Sequence, residues 1–271
     1  MNNVPSQICN EKKVIKLRYI DKWPGFRPDL DMIHRFLTKH FLIEICDDPD
    51  YVLDGGLGDD HLYFNCIKIL QVGENVVPDF NCFDYAIGFD FLEFGDRYIR
   101  IPLHVFCDGY SSLSAELRMV DADSVLNREF CSFVVSNGAG GDPIRTEFFH
   151  RLSKYKPVAS GGRYLNNVGA PVPDKLEFCR KYKFNIAFEN SSSPGYTTEK
   201  LMEPLSIQTC PIYWGNPKVF EDFRPGCMVH VKDAKSIDQA IEEIVYLDTH
   251  DDEYLKKLAA PCLVKSPDEI E

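Results

Sequence analysis

Between Phe184 and Trp214 the chain reads FNIAFENSSSPGYTTEKLMEPLSIQTCPIYW. The run Phe184 to Phe188 is too short for a helix and apolar enough for a buried strand. Polar and turn-forming residues follow from Asn190 to Tyr196, punctuated by Pro194-Gly195. Thr197 or Thr198 can cap a helix bearing Leu201, Met202, Leu205 and Ile207. Cys210 to Trp214 then reads as a second short strand. Strand, loop, helix, strand is a βαβ unit, which requires a parallel sheet and a right-handed crossover. It also sets the polar loop at the carboxyl end of the first strand, where open α/β sheets take ligands.

The same alternation runs through the rest of the chain. Val14 to Ile20 reads as a strand, Trp23-Pro-Gly25 as a turn, and Leu30, Ile33, Leu37 and Phe41 recur at helical spacing. Short strands are expected at 42–45, 51–53, 67–72, 84–88 and 98–103. The stretch 105–127 lacks firm periodicity and reads as a connection, with a helix expected near Ala115 to Met119. From Phe130 the pattern restarts, with Asp142-Pro143 opening one helix and Ser236-Ile-Asp-Gln239 fitting a capping box at another. Pro261 to Glu271 reads as a loose tail. At 271 residues two domains are the natural count: 1–125 and 126–271, both Rossmann-like α/β.

A formal net charge of −12 argues against a nucleic-acid partner, because no basic face can be assembled against phosphate. The ten cysteines show no CxxC pairs, and several fall in apolar runs, the pattern of reduced, buried thiols in an intracellular protein. Met1 to Glu11 is polar, and no apolar run approaches the ~18 residues of a spanning helix. The expectation is a soluble, cytoplasmic protein with no transmembrane segment, peripheral at a membrane if a C-terminal tail is missing.

Chemistry concentrates at Glu199-Lys200, in the first turn of the helix after the 190–196 loop. Backbone N–H groups and the helix dipole favour an anion there; Lys200 adds a full charge, and Glu199 offers two acceptors to sugar hydroxyls. Tyr196 and Asn190 add donors. This suits a nucleoside diphosphate, although an ordinary capped surface helix has the same spacing. Asp54-Gly-Gly-Leu-Gly58 lacks the Lys-Ser/Thr end of a phosphate loop and reads as a turn. His61 and His104 stand apart from Asp, Glu or His at ligand spacing and read as structural or solvated.

Phe188-Glu-Asn190, Gly195-Tyr-Thr-Thr-Glu-Lys-Leu201 and Pro211-Ile-Tyr-Trp-Gly215 resemble the signature of the α1,3-fucosyltransferases, glycosyltransferase family 10. Cys131 to Asn137, Pro143-Ile-Arg145 and Lys156 to Gly162 resemble that family in the same order, and Val72 to Asn75 and Tyr85 to Phe89 do so more weakly. The similarity is to the short bacterial-type members. It implies a GT-B fold, two Rossmann-like domains facing each other across a cleft, the first binding acceptor and the second GDP-fucose. It further implies an inverting transfer of L-fucose to the GlcNAc hydroxyl of an N-acetyllactosamine-type oligosaccharide acceptor, as in Lewis antigens. By position, Glu74 corresponds to the general base, and Val72, Val76 and Val77 could desolvate it. Arg145 and Lys200 correspond to groups that stabilise the diphosphate, Glu199 to a ribose ligand, and Tyr196 to a phosphate or fucose ligand. Asn190, Ser136 and Thr198 are further donor-site candidates, and Trp23 and Asn75 are acceptor-site candidates. No metal or other cofactor is implied. A non-catalytic, lectin-like nucleotide-sugar binder, or a related GT-B transferase with another donor, stays open. The 105–127 connection is shorter than in bacterial relatives, and the heptad repeats and basic helices that end those relatives are not in this sequence.

Overall fold

The computed structural model describes residues 12–107, 109–113, 116–138 and 140–266. The expectations on 1–11, on Ala115 and on the end of the tail fall outside them. By contacts the chain divides into one unit of residues 1–88 and 92–101, and a second of residues 89–91 and 102–271.

Among the described residues the first unit is a six-stranded parallel sheet with one α-helix, α1 (Met32–His40). Its strands are β1 (Val14–Ile20), β2 (Leu42–Ile45), β3 (Tyr51–Asp54), β4 (Ile67–Gln71), β5 (Tyr85–Gly88) and β6 (Tyr98–Arg100), in the order β2-β1-β3-β4-β5-β6. Leu17, Val52, Leu53, Leu70 and Ala86 are buried along the middle of the sheet. Asp31 caps α1 by accepting from His34 N at 2.9 Å, and Lys39 and His40 complement the dipole in the last turn.

In the second unit the order is β11-β10-β9-β7-β8, again all parallel. These strands are β7 (Glu129–Phe133), β8 (Val158–Ser160), β9 (Tyr182–Phe188), β10 (Cys210–Trp214) and β11 (Val229–His230). The helices are α2 (Ala122–Leu126), α3 (Ile144–Leu152), α4 (Lys175–Cys179), α5 (Glu199–Ser206), α6 (Ile237–Thr249) and α7 (Asp251–Ala259). The central β9 is buried at every residue, as a parallel strand covered on both faces must be. Phe148 of α3 packs on Phe188 with ring centroids 4.9 Å apart; each such ring contributes about 2–3 kcal/mol by leaving water. Ile237, Ala240, Ile244 and Leu247 turn α6 onto the same core. Pro204 removes the backbone donor that the Lys200 carbonyl would use, and α5 stays short. The parallel α/β class is as expected, and no helix of the described residues is long and apolar enough to cross a membrane.

Three local expectations are corrected. Residues 116–119 are not helical. Instead Arg118 N donates to the Ala259 carbonyl, and its guanidinium donates to the carbonyls of Leu205 and Leu258, each at 2.7 Å. These hydrogen bonds close the carboxyl ends of α5 and α7, so the chain is more useful extended there. The capping box before α6 is built by Asp233 and Ser236, because Asp233 accepts from Lys235 N and Ser236 N. The tail is partly core: Cys262 and Leu263 are buried, and Leu263 bridges Phe223.

A backbone crossing sets the turn after β8. A Cβ on Gly162 would stand 1.9 Å from the Val135 carbonyl oxygen, inside any tolerable contact. Gly162→Ala is expected to lower unfolding stability by on the order of 3 kcal/mol, the scale of a backbone clash. Urea denaturation of the variant checks this.

Candidate functional site

The loop between β9 and α5 is pinned by a carboxylate. Glu189 follows β9 directly, has no exposed surface, and donates its N–H to the Trp214 carbonyl at 2.9 Å. Its Oε1 accepts from Thr198 N and its Oε2 from Thr198 Oγ1, both at 2.8 Å. Lys200 Nζ lies 3.6 Å from Oε2. Burial still wins: it pushes the Glu189 carboxyl from its ordinary 4.5 up to about 7, against the pull of Lys200 and the Thr198 hydrogen bonds. Space for this side chain depends on Gly215, where a Cβ would stand 2.4 Å from Glu189 Cγ and φ is 148°. Beside it, buried Asn216 accepts from Gly195 N at 2.8 Å and donates to Thr197 Oγ1 at 3.0 Å, so that N–H and that hydroxyl are satisfied inside the fold.

Thr198, of the two threonines, is the cap of α5, accepting from Lys200 N. The side chain of Lys200 is 3.0 Å from Glu199 Oε1 and donates to Thr198 Oγ1 at 3.3 Å. Burial alone would lower the Lys200 pKa; the charges of Glu189 and Glu199 reverse that and raise it. Burial likewise opposes ionisation of Glu199, and Lys200 and Lys175 overcome it, so Glu199 titrates low. A firmly charged lysine therefore sits over the positive end of α5.

Arg145, in the first turn of α3, is 3% exposed and donates from Nη1 to Asn190 Oδ1 at 3.1 Å. Asp142 N donates to the Asn190 carbonyl at 2.9 Å, which ties the start of α3 to the same loop. Gly141 leaves room for the guanidinium, since a Cβ there would stand 2.3 Å from Nη1. Arg145 Nε is buried without a hydrogen-bond partner. Burial pushes its pKa down, and the charge of Glu189 pushes it back. Lys200 also feels the charge of Arg145. Two helix starts, one arginine and one lysine thus gather round Glu189 and Asn190, a constellation able to hold a multiply charged anion.

The other expected residues are more scattered. Tyr196 is buried, its ring 5.3 Å from Phe89. Ser136, beyond β7, is exposed. In the first unit Glu74 and Asn75 are exposed beyond β4, and Trp23 is 46% exposed with its ring edge-on to Phe26. The expected desolvation of Glu74 is corrected in part: Val72 is buried, but Val76 and Val77 are 49% and 69% exposed. His61 is not isolated either; it lies 3.4 Å from Asp54. Glu189 received no role from the sequence, although one signal was there, a carboxylate directly following the apolar run that ends β9. A hollow lined by Arg118, Arg128, Arg180 and Lys181 lies against the opposite, amino-terminal ends of β7 and β9.

The chain is similar to known proteins along most of its length. The model of the α-(1,3)-fucosyltransferase FucT N-terminal domain matches residues 17–107, and that of the C-terminal part of glycosyltransferase family 10 (fucosyltransferase) matches 126–259. The α-(1,3)-fucosyltransferase FucT of Helicobacter pylori is 36% identical over 267 residues, which cover 84% of this chain and 55% of that protein. A putative fucosyltransferase of Acanthamoeba polyphaga mimivirus is 29% identical over 154 residues, covering 52% of this chain and 25% of that protein. The chain thus spans about half, or less, of the length of these curated relatives. A crystal structure of an α1,3-fucosyltransferase with GDP-fucose superposes with a TM-score of 0.78 and 31% identity, covering 98% of this chain and 86% of that one. Anabaena HepE in complex with UDP-glucose, at 8% identity and a TM-score of 0.54 over 91% of this chain and 93% of that one, shares the fold alone.

The raised Glu189 pKa has a measurable sign. The fold favours the protonated form, so this group's contribution to stability is full below 4.5 and lost as pH rises through about 7. Glu189→Gln does not titrate. Its stability relative to the parent is expected to rise by about 3 kcal/mol between pH 4.5 and pH 8. Urea unfolding of both proteins at the two pH values reads this; an unchanged gap would mean that Glu189 does not titrate in this window.

Proposed function

Because the chain belongs to glycosyltransferase family 10, the fucosyltransferases, we propose that it is an inverting α1,3-fucosyltransferase. In this reading it moves L-fucose from GDP-fucose to a GlcNAc hydroxyl of an N-acetyllactosamine-type acceptor. The observation that carries the proposal is the pairing of buried Arg145 with Lys200 at the first turn of α5, directly after β9. Their charges and the helix dipole suit a diphosphate, and Glu199 has carboxylate oxygens for ribose hydroxyls.

A β-linked diphosphate giving an α-linked product inverts the anomeric centre in one displacement. As the sugar–phosphate bond breaks, charge grows on the departing GDP, and Lys200 and Arg145 stabilise that charge without reorganising. In this reading Glu74 takes the proton of the acceptor hydroxyl as it attacks. These cations and the helix end do the work a metal does elsewhere, so the step as proposed uses none. Glu189 acts beneath them: it holds Lys200 in place, and with a pKa of about 7 it can accept a proton when diphosphate competes for that lysine. Trp23 and Asn75 are the proposed acceptor contacts; Tyr196, Asn190, Ser136 and Thr198 line or support the donor side.

The test is GDP release from GDP-fucose with and without N-acetyllactosamine, against a panel of other GDP- and UDP-sugars, with linkage analysis of the product. Release that requires acceptor, with a new α1,3 linkage, is the expected result. Glu74→Gln is expected to keep donor affinity and to lose rate by about two to four orders of magnitude, the span of a general base; near-normal transfer would remove Glu74 from that role. Lys200→Ala is expected to weaken GDP binding by about tenfold or more, the scale of one charge-assisted hydrogen bond. Calorimetric titration with GDP measures it.

A further inference from the structure

Asp21, Asp54 and His61 meet at the carboxyl end of the first unit's sheet, outside the groups used above. Asp21 follows β1, Asp54 ends β3, and His61 lies in a short 3-10 helix, Asp60–Tyr63. One candidate ligand atom from each lies within 4.8 Å of the other two. Asp54 has no exposed surface and His61 only 8%. Asp54 Oδ2 and His61 Nδ1 are buried, 3.4 Å apart, and neither has a hydrogen-bond partner. A carboxylate oxygen left this way costs about 1–3 kcal/mol or more.

The remaining valences are already spoken for. Asp54 Oδ1 accepts from Gly56 N at 2.6 Å and Asp21 Oδ2 from Asp60 N at 2.8 Å. Asp21 Oδ1 borders Gly58, where a Cβ would stand 2.3 Å away, so only glycine leaves that oxygen room. Lys22 does not fill the gap: its ammonium donates to Gln71 Oε1 at 2.7 Å and reaches only the Asp54 carbonyl, at 3.4 Å. Asp31 accepts from Gln71 Nε2 on the far side. Asp31 and Asp54 share the one ammonium of Lys22, and Asp21 adds a third carboxylate beside Asp54, a local excess of negative charge that a divalent cation would offset.

We propose that Asp21, Asp54 and His61 bind one divalent transition-metal ion of the zinc class. Two carboxylate oxygens and one imidazole nitrogen suit zinc better than calcium or magnesium, which take oxygen alone. Bonds of about 2.1 Å in a tetrahedral arrangement place adjacent ligand atoms about 3.4 Å apart, the separation of Asp54 Oδ2 and His61 Nδ1. The ion ties the turn after β1 to the loop after β3. It goes beyond the proposed transfer reaction, whose diphosphate-binding groups lie in the other unit and whose proposed base, Glu74, is not among these three residues.

The test uses the full chain, dialysed against chelator and titrated with Zn2+ in competition with a chromophoric indicator. The expected result is one equivalent of zinc per chain and a rise in melting temperature on loading. Co2+ in its place is expected to give the intense visible bands of a four-coordinate site. Asp54→Asn and His61→Gln are each expected to weaken zinc binding by about tenfold or more, with calorimetric GDP binding unchanged. If Asp54→Asn does not fold, His61→Gln and the cobalt spectrum of the parent decide alone. No stoichiometric zinc in the parent, or equal binding by the variants, overturns the proposal. So does an Asp54→Asn variant that raises the acceptor KM in a parent that holds no metal, which would make these carboxylates sugar ligands instead.

Discussion

Everything around the β9–α5 loop depends on burying one carboxylate. Glu189 cannot reach water, so its oxygens must be met from within, and the start of α5 supplies the donors. Meeting them fixes where Thr198 sits, hence where the helix begins, hence where Lys200 and the amide groups of the first turn point. Lys200 is in turn held between Glu189 and Glu199 rather than left to sample solvent. The cost is real, since burial outweighs those partners and holds the carboxyl well above the ordinary carboxylate range. Energy stored in this way is a usual feature of sites that must respond to an arriving charge.

The two units solve the same problem by the same means. In each, a carboxylate stands at the carboxyl end of a central strand and is clamped by a backbone N–H from the loop that follows: Asp54 by Gly56, Glu189 by Thr198. In the second unit the spare oxygen finds a hydroxyl and a nearby ammonium; in the first it finds only His61, out of hydrogen-bond geometry. Parallel sheets make such ends inevitable, because each strand stops with its carbonyls facing a loop and no neighbour beyond.

How much of this could be read from residues alone divides along physical lines. Strands and the β9–α5–β10 unit were legible because burial on both faces of a parallel sheet writes long apolar runs. Thr198 was legible because caps are local; at α3 the cap position falls on Pro143, and Asp142 just before it accepts from Ile144 N. Features made by distant partners were not. Ser236 belongs to a capping box three residues earlier than its spacing suggests, because Asp233 outcompetes it. The extended course of 116–119 answers carbonyls on α5 and α7, and Leu263 is buried by Phe223. His61 looked solitary because Asp21 and Asp54 reach it through the sheet, not along the chain. Glu189 sat directly after an apolar strand, but that position alone does not tell a buried glutamate from a loop glutamate.

Arg118 carries a consequence for where the second unit can be cut. One guanidinium closes α5 and α7 together, and its own backbone bonds to Ala259. The matched family segment starts only at residue 126. A fragment begun at that border would inherit all five strands but lose the bonds that Arg118 gives to Leu205, Leu258 and Ala259, leaving those helix ends to their own backbone caps. A piece meant to mature as an independent body is better begun upstream of its own sheet, in what looks on paper like mere linker.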